Sequence, residues 1–184
     1  MNIVETDFKD LFVCTPKLVE DQRGYFFESF NLRIFQEKTG LNINFVQDNQ
    51  SKSGFGVLRG LHMQGGEHAQ AKLVRVLTGK VLDVAVDLRP DEPTFGRHFS
   101  IELSAANKQQ LYIPRGFAHG FVVLSDTAEF FYKCDNYYYP ESEMGIIYND
   151  EEFEINWGLT GSEIQISTKD SLNKSFKEIK KKLI

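Results

Sequence analysis

The chain has 184 residues and a formal net charge of -5. This length predicts one domain with a buried core. The acidic balance disfavours general nucleic-acid binding, because a nucleic-acid partner requires a basic face that neutralises phosphates. Cys14 and Cys134 match no CxxC pattern and are too few for a disulfide framework, so both are interpreted as ordinary thiols.

The N-terminal stretch MNIVETDFKDL has no basic region followed by an apolar run. No window of the chain reaches the roughly 18 apolar residues that a membrane span requires. These features predict a cytoplasmic protein that does not associate with a membrane.

The first predicted helix is NLRIFQEKTG, which Gly40 closes. From about residue 42 to 168 the pattern changes to short β-type runs separated by turn residues. The clearest run is LVRVLTGKVLDVAVDLRP, in which alternating side chains flank a TGK turn, and this pattern predicts a hairpin.

Further short strands are predicted in HFSIELSA, QLYIP, GFVVLS, AEFFYKC and IQIS. Strands at such close intervals indicate a sandwich or a barrel. The C-terminal segment SFKEIKKKLI places Phe176, Ile179 and Leu183 on one helical face, so helices are expected only at the periphery. The predicted fold class is therefore mainly β.

Four segments combine charged or amide groups with aromatic residues and glycines, a composition typical of a ligand cleft. They are DQRGYFFESF, FVQDNQSKSGFGVLRGLHMQ, IPRGFAHGF and EFFYKCDNYYYPESE.

The pattern PRGFAH resembles the second short motif of the cupin superfamily, which is set in an antiparallel β-barrel of the jelly-roll type. Gly56 and His62 fit the first cupin motif, but Gln64 stands at its second histidine and Lys72 at its glutamate. An ammonium repels a divalent cation and an amide is a poor substitute for imidazole, so no metal site is predicted. A site with His62, Lys72 and His119 suits removal of a proton next to a carbonyl and stabilisation of the enolate. Alone, His62 is more often a structural histidine.

The strings DQRGYFFESF, QDNQSKSGFGVLRGLHMQ, AQAKLVRVLTGKVLDVAVDLRPDEPTFG, LYIPRGFAHGF and YYYPESEMGIIYND resemble the family of dTDP-4-dehydrorhamnose 3,5-epimerases. The resemblance runs from about residue 2 to 171. It implies a cupin-type barrel that converts dTDP-4-dehydro-6-deoxy-D-glucose into dTDP-4-dehydro-L-rhamnose, a precursor of O-antigen or another cell-surface polysaccharide. Inversion at C3 and C5, on either side of the C4 ketone, needs no cofactor.

The resemblance also implies catalytic roles. His62 is the expected general base, paired with Asp170, and Tyr132 is the expected acid on the opposite face of the sugar. Lys72 and His119 would stabilise the enolate oxygen or hold the sugar. If the resemblance is set aside, Tyr132 is more simply interpreted as a structural residue of the barrel with a hydrogen-bonded hydroxyl.

Substrate contacts follow from the same resemblance. Arg59 and Arg23 are expected at the diphosphate, and Tyr138 is expected to stack on thymine. The other expected contacts are Glu28, Gln47, Asp48, Asn49, Glu143 and Lys169. Turn chemistry is the alternative explanation for QDN.

The resemblance further implies a homodimer in which the N-terminal segment, residues 1–30, adds to the partner's sheet. Arg23 and Glu28 would then reach the partner's pocket. Residues 172–184 are expected to form a C-terminal helical tail.

Three alternatives remain open at this point. The first is an epimerase of another deoxysugar pathway that acts at C3 only or at C5 only. The others are a sugar-nucleotide binding module without activity and a metal-dependent cupin oxygenase.

Overall fold

A computed structural model describes residues 1–183. The strands are β1 (Asn2–Glu5), β2 (Phe12–Thr15), β3 (Val19–Asp21), β4 (Gly24–Phe26), β5 (Gln47–Gly54), β6 (Leu58–Gln64), β7 (Lys72–Thr78), β8 (Lys80–Asp87), β9 (His98–Ser104), β10 (Gln110–Ile113), β11 (Phe117–Val123), β12 (Thr127–Cys134) and β13 (Glu143–Gly145). The helices are α1 (Leu32–Thr39), α2 (Thr168–Ser171) and α3 (Phe176–Leu183), with short 3-10 turns at Gly66–His68 and Pro140–Ser142.

Within residues 1–183 the strands form two antiparallel sheets and one separate hairpin. The six-stranded sheet has the order β1-β2-β10-β7-β12-β5, and the five-stranded sheet has the order β13-β6-β11-β8-β9. Strands β3 and β4 pair with each other. The prediction of a mainly β, cupin-type antiparallel barrel with short peripheral helices is confirmed.

The hairpin predicted around the TGK turn is wrong. Strand β7 pairs with β10 and β12, whereas β8 pairs with β11 and β9 in the other sheet. Gly79 has a φ of 75° and carries the chain from one sheet to the other, and a side chain there would collide with the carbonyl of Thr127. The strand predicted in IQIS is also wrong, because Gln165 forms only an isolated bridge with Val57.

The main core lies between the two sheets. Val74 and Phe130 from the six-stranded sheet pack with Val81, Ala85 and Phe121 from the five-stranded sheet. Because side chains alternate along a strand, residues two positions away from these also point between the sheets. This alternation places Lys72, His119 and Tyr132 on the inner faces, and His62 shares that face because it lies directly opposite His119.

The outer faces are covered by the peripheral helices. Phe35 of α1 is fully buried against Tyr112, and the helix ends at Gly40 in a left-handed conformation, as predicted. Phe176 and Ile179 of α3 pack on the outer face of the five-stranded sheet. The C-terminal helix is thus present at Phe176–Leu183, whereas residues 172–175 of the predicted helical tail are not helical, and Ile184 lies outside the described residues.

Among residues 1–183, no helix is both long enough and apolar enough to cross a membrane.

Candidate active site

A cleft between the sheets contains two adjoining chambers. Their volumes are about 650 Å³ and about 300 Å³, a size that suits a small-molecule ligand. Both chambers are lined by Asn49, His62, Lys72 and Tyr132. Three of the four predicted catalytic residues therefore meet at the junction of the chambers, and the fourth, Asp170, lines the larger one.

Strand β6 carries His62 into the cleft. It pairs with β11, and the register sets His62 opposite His119. The two strands approach closely at Gly60, where a Cβ would lie 2.5 Å from the Cα of Gly120. Glycine at residue 60 therefore permits the strand contact that brings the two histidines together.

His62 and Asp170 form the hydrogen-bonded pair that the resemblance predicts. The distance from His62 Nε2 to Asp170 Oδ1 is 2.7 Å, and the His62 side chain is 27% exposed whereas that of Asp170 is 7% exposed. Asp170 lies in the first turn of α2, where its backbone N–H donates to the hydroxyl of Ser167, the helix N-cap. With Nε2 held by Asp170, the other ring nitrogen of His62 is left to exchange a proton.

Tyr132 enters the cleft from the opposite sheet. Its strand, β12, aligns Tyr132 with Asn49 on β5 and with Val74 on β7. The hydroxyl makes no hydrogen bond to any residue in the range 1–183. Burial raises the pKa of Tyr132, so the hydroxyl stays protonated at neutral pH and is a proton donor.

Lys72 contributes a positive charge at the junction of the two chambers. Its ammonium lies 6.0 Å from the ring centre of Tyr132. Burial lowers the pKa of Lys72, while the nearby Cys134, Asp83 and Glu143 oppose that shift. A desolvated ammonium of this kind stabilises negative charge more strongly than a solvated one.

His119 belongs to a second histidine–aspartate pair. Its Nε2 lies 2.9 Å from Oδ2 of Asp83, and both side chains are buried. Burial lowers the pKa of His119, although Asp83 opposes the shift, and the imidazole is therefore neutral at neutral pH. Sequence reasoning missed Asp83, and the available signal was a carboxylate that alternates with the core residues Val81 and Ala85 on the same face of β8.

Tyr138 and Glu143 line the smaller chamber, and Lys169, which lines the larger one, contacts Glu143. The Tyr138 hydroxyl donates to Glu143 Oε2 over 2.9 Å, and Lys169 Nζ lies 2.6 Å from the same oxygen. Burial raises the pKa of Glu143, but the hydrogen bonds from Lys169 and Tyr138 outweigh it and lower that pKa. The carboxylate is therefore charged and ties the Tyr138 loop to α2.

The remaining predicted contacts on β5 and β6 divide between the two faces of their sheets. Gln47 and Asn49 line the cleft, and Arg59 lines its larger chamber with Nε donating to Ser53. Asp48 points the other way, where Lys133 Nζ lies 2.9 Å from its carboxylate. Strand alternation explains the difference.

Arg23 and Glu28 do not line the cleft of their own chain. Arg23 pairs with Asp21 on the β3–β4 hairpin, and Glu28 accepts a hydrogen bond from Asn31. A role for either residue in a pocket remains a prediction.

Comparisons with known proteins assign the chain to a family. The family model described as dTDP-4-dehydrorhamnose 3,5-epimerase matches residues 5–178. The chain is also 54% identical over 170 residues to the dTDP-4-dehydrorhamnose 3,5-epimerase of Escherichia coli. The aligned region covers 92% of this chain and 91% of that protein. The chain belongs to the dTDP-4-dehydrorhamnose 3,5-epimerase family.

Solved structures of this family share the fold. The dTDP-4-dehydrorhamnose 3,5-epimerase of Elizabethkingia anophelis has 55% identity and a TM-score of 0.94, with 97% of each chain covered. A dTDP-6-deoxy-D-glucose-3,5-epimerase of Legionella pneumophila, in complex with dTDP-4-keto-L-rhamnose, has 48% identity and a TM-score of 0.94, covering 100% of this chain and 96% of that one. Membership confirms the predicted resemblance and the predicted enzyme class, an isomerase.

Proposed function

We propose that this chain epimerises dTDP-4-dehydro-6-deoxy-D-glucose at C3 and C5 to dTDP-4-dehydro-L-rhamnose. One observation carries the proposal: the hydrogen-bonded pair of His62 and Asp170 shares a cleft with Tyr132, which enters from the opposite sheet. Inversion of a carbon requires a base on one face of the sugar and an acid on the other.

The first step removes a proton from the carbon next to the ketone. His62 takes the proton, and the electrons of the C–H bond form a C=C bond while those of the C=O bond move to the oxygen, which becomes an enolate. Asp170 orients the imidazole and stabilises its charged form. The ammonium of Lys72 stabilises the enolate oxygen.

The second step returns a proton to the opposite face of the same carbon. The hydroxyl of Tyr132 donates it, the ketone reforms, and solvent restores the protons on Tyr132 and His62 to their starting state. Because C3 and C5 both flank one ketone, a rotation of the sugar in the cleft places first one carbon and then the other between His62 and Tyr132.

His119 is better suited to holding the sugar than to stabilising the enolate. Its Nε2 is bonded to Asp83, and its neutral ring leaves Nδ1 as an acceptor. An acceptor binds a sugar hydroxyl, whereas an enolate oxygen requires a donor.

The nucleotide is expected to contact the polar rim of the cleft. Arg59 has donors beyond the one it gives to Ser53, and a guanidinium suits a diphosphate. Gln47, Asn49, Glu143 and Lys169 offer further polar contacts, and the Tyr138 ring offers a stacking surface for thymine. Asp48, on the other face of β5, remains a predicted contact without a place in the cleft.

We also propose that the protein acts as a homodimer, in the cytoplasm. The β3–β4 hairpin exposes Val19, Tyr25 and Phe26, which are 60%, 58% and 72% exposed. Three exposed apolar side chains on one hairpin suit contact with a second copy. In that arrangement Arg23 and Glu28 would reach the partner's cleft.

Product analysis tests the function. The purified protein is incubated with dTDP-4-dehydro-6-deoxy-D-glucose, and the ketone is then reduced with borohydride before the sugars are identified. Inversion at both carbons yields 6-deoxy-L-mannose and 6-deoxy-L-talose. Inversion at C3 alone yields 6-deoxy-D-allose and 6-deoxy-D-gulose and would contradict the double inversion, whereas recovery of only 6-deoxy-D-glucose and 6-deoxy-D-galactose would refute epimerisation.

A further inference from the structure

Gln64 stands where a metal-binding cupin has a histidine ligand, and its side chain has a different use here. It lies two residues after His62 on β6, lines the smaller chamber and is 5% exposed. A buried amide requires partners for its donors and its acceptor.

The amide of Gln64 finds those partners in the backbone of two loops. Its Nε2 donates to the carbonyl of His68 over 2.6 Å and to the carbonyl of Tyr137 over 3.2 Å, and its Oε1 accepts from the N–H of Tyr139 over 2.7 Å. Only a side chain with both donors and an acceptor satisfies this set. Gln64 therefore joins the loop after β6 to the loop after β12.

Two other side chains also join these loops: Asn136 Nδ2 donates to the carbonyls of Glu67 and Ala69, and Gln70 Nε2 donates to the carbonyl of Asn136. Gln64 differs from them because it bonds to the backbone on either side of Tyr138. The ring of His68 stacks on that of Tyr139 at 3.8 Å, and the N–H of Tyr138 donates to Gln47 Oε1 over 3.0 Å. Tyr138 thus lies between two residues whose backbones Gln64 holds. Its hydroxyl in turn reaches Glu143, next to the catalytic cleft.

We propose that Gln64 is a positioning residue: its amide holds the Tyr137–Tyr139 loop so that Tyr138 is set to bind the nucleotide. This inference rests on the proposed function, because it takes the thymine nucleotide as the group that Tyr138 contacts. It assigns Gln64 to nucleotide binding and leaves proton transfer to His62 and Tyr132.

Two variants and a matched control test this role. Gln64→Met keeps the length of the side chain without its hydrogen bonds, and Gln64→Glu keeps an acceptor but loses both donors. Gln109→Glu makes the same chemical change at a side chain that has no hydrogen bond within residues 1–183 and lies outside the cleft. Thermal unfolding establishes that each variant is folded.

The readouts separate binding from chemistry. In both Gln64 variants we expect the Kd for dTDP and the KM to rise about tenfold, with kcat changed less than about threefold. In a Tyr138→Ala background, Gln64→Met should add little further loss, because both changes remove one function. A folded Gln64→Met variant whose Kd and KM stay within twofold of those of the unchanged protein would overturn the proposal.

The unchanged protein provides a measurement that does not depend on the variants. Amide hydrogen exchange at Tyr139 should be slow, because its N–H donates a hydrogen bond to Gln64 Oε1. Exchange at the rate of an exposed loop would overturn the proposal. If the unchanged protein fails to epimerise the substrate, the proposed function fails, while the exchange and dTDP measurements still decide the role of Gln64.

Discussion

His62 and Tyr132 lie in opposite sheets of the barrel and line the same cleft. This relationship supplies a proton acceptor and a proton donor on two sides of a bound sugar. The acceptor is oriented by Asp170, and the donor keeps its proton because burial raises its pKa.

Substitution Tyr132→Phe should separate proton removal from inversion. The base remains, so deuterium from the solvent should still enter the substrate, whereas formation of the inverted product should fall about 10²- to 10⁴-fold. Mass spectrometry and NMR of the recovered sugar distinguish the two events. Tyr112→Phe, in the outer cluster near α1, is the matched control and should leave both unchanged. Unchanged product formation by Tyr132→Phe would rule out this tyrosine as the acid.

Substitution Asp170→Asn should lower kcat/KM about a hundredfold or more. The amide has nearly the same shape, but it can donate to Nε2 of His62 and so place the ring proton on the nitrogen that must act as base. Steady-state kinetics measures the loss, and Asp126→Asn, at an exposed turn, is the control. A folded Asp170→Asn protein within threefold of full activity would contradict the role of the pair.

Lys72 should set the alkaline limit of activity. Burial lowers its pKa and raises that of Tyr132, so Lys72 loses its proton first as the pH rises. Activity that depends on the ammonium is present below the pKa of Lys72 and declines above it. In Lys72→Arg the charge persists, and the alkaline limb of the kcat/KM profile should move to higher pH. Lys80 pairs with Glu102 at the surface, so the control Lys80→Arg should leave the alkaline limb where it is. If the alkaline limb of Lys72→Arg also stays at the same pH, Lys72 is not the group that sets it.

Mixed dimers test whether Arg23 serves a second copy. Protein with His62→Ala and protein with Arg23→Ala should each be inactive or strongly impaired. Coexpression should restore about a quarter of full activity, since half of the dimers are mixed and each has one intact site. Recovery is read from the rate of product formation, with light scattering to measure the mass. A monomer, or no recovery in a proven mixed dimer, would refute the shared site.

Much of the fold could be predicted from the sequence, because the sequence patterns that indicate helices and strands are local. The helix before Gly40 and the alternation in β8 follow from residues that are close along the chain. The partner of a strand depends on contacts far along the chain, so the sequence pattern did not reveal that β7 and β8 belong to different sheets. Strand β5, with the sequence QDNQSKSG, is polar throughout, so its pattern could not show that Asn49 faces the cleft and Asp48 faces away from it.

The candidate site was harder to predict, because its residues come together through contacts between distant parts of the chain. His62 and Asp170 are far apart in the chain, and only the family resemblance linked them before the structure showed their contact. Asp83 was missed because its partner, His119, lies on a different strand. Gln64 was considered only as a poor metal ligand, whereas its backbone contacts depend on how two loops fold.

The most direct test of the mechanism is deuterium uptake from deuterium oxide by dTDP-4-dehydro-6-deoxy-D-glucose, followed by NMR and mass spectrometry. The account predicts deuterium at both C3 and C5 with the unchanged protein. In His62→Ala, uptake at both carbons should fall about 10²-fold or more. In the control His98→Ala, on β9, uptake should be the same as in the unchanged protein. Uptake at both carbons that persists in folded His62→Ala protein would contradict the account.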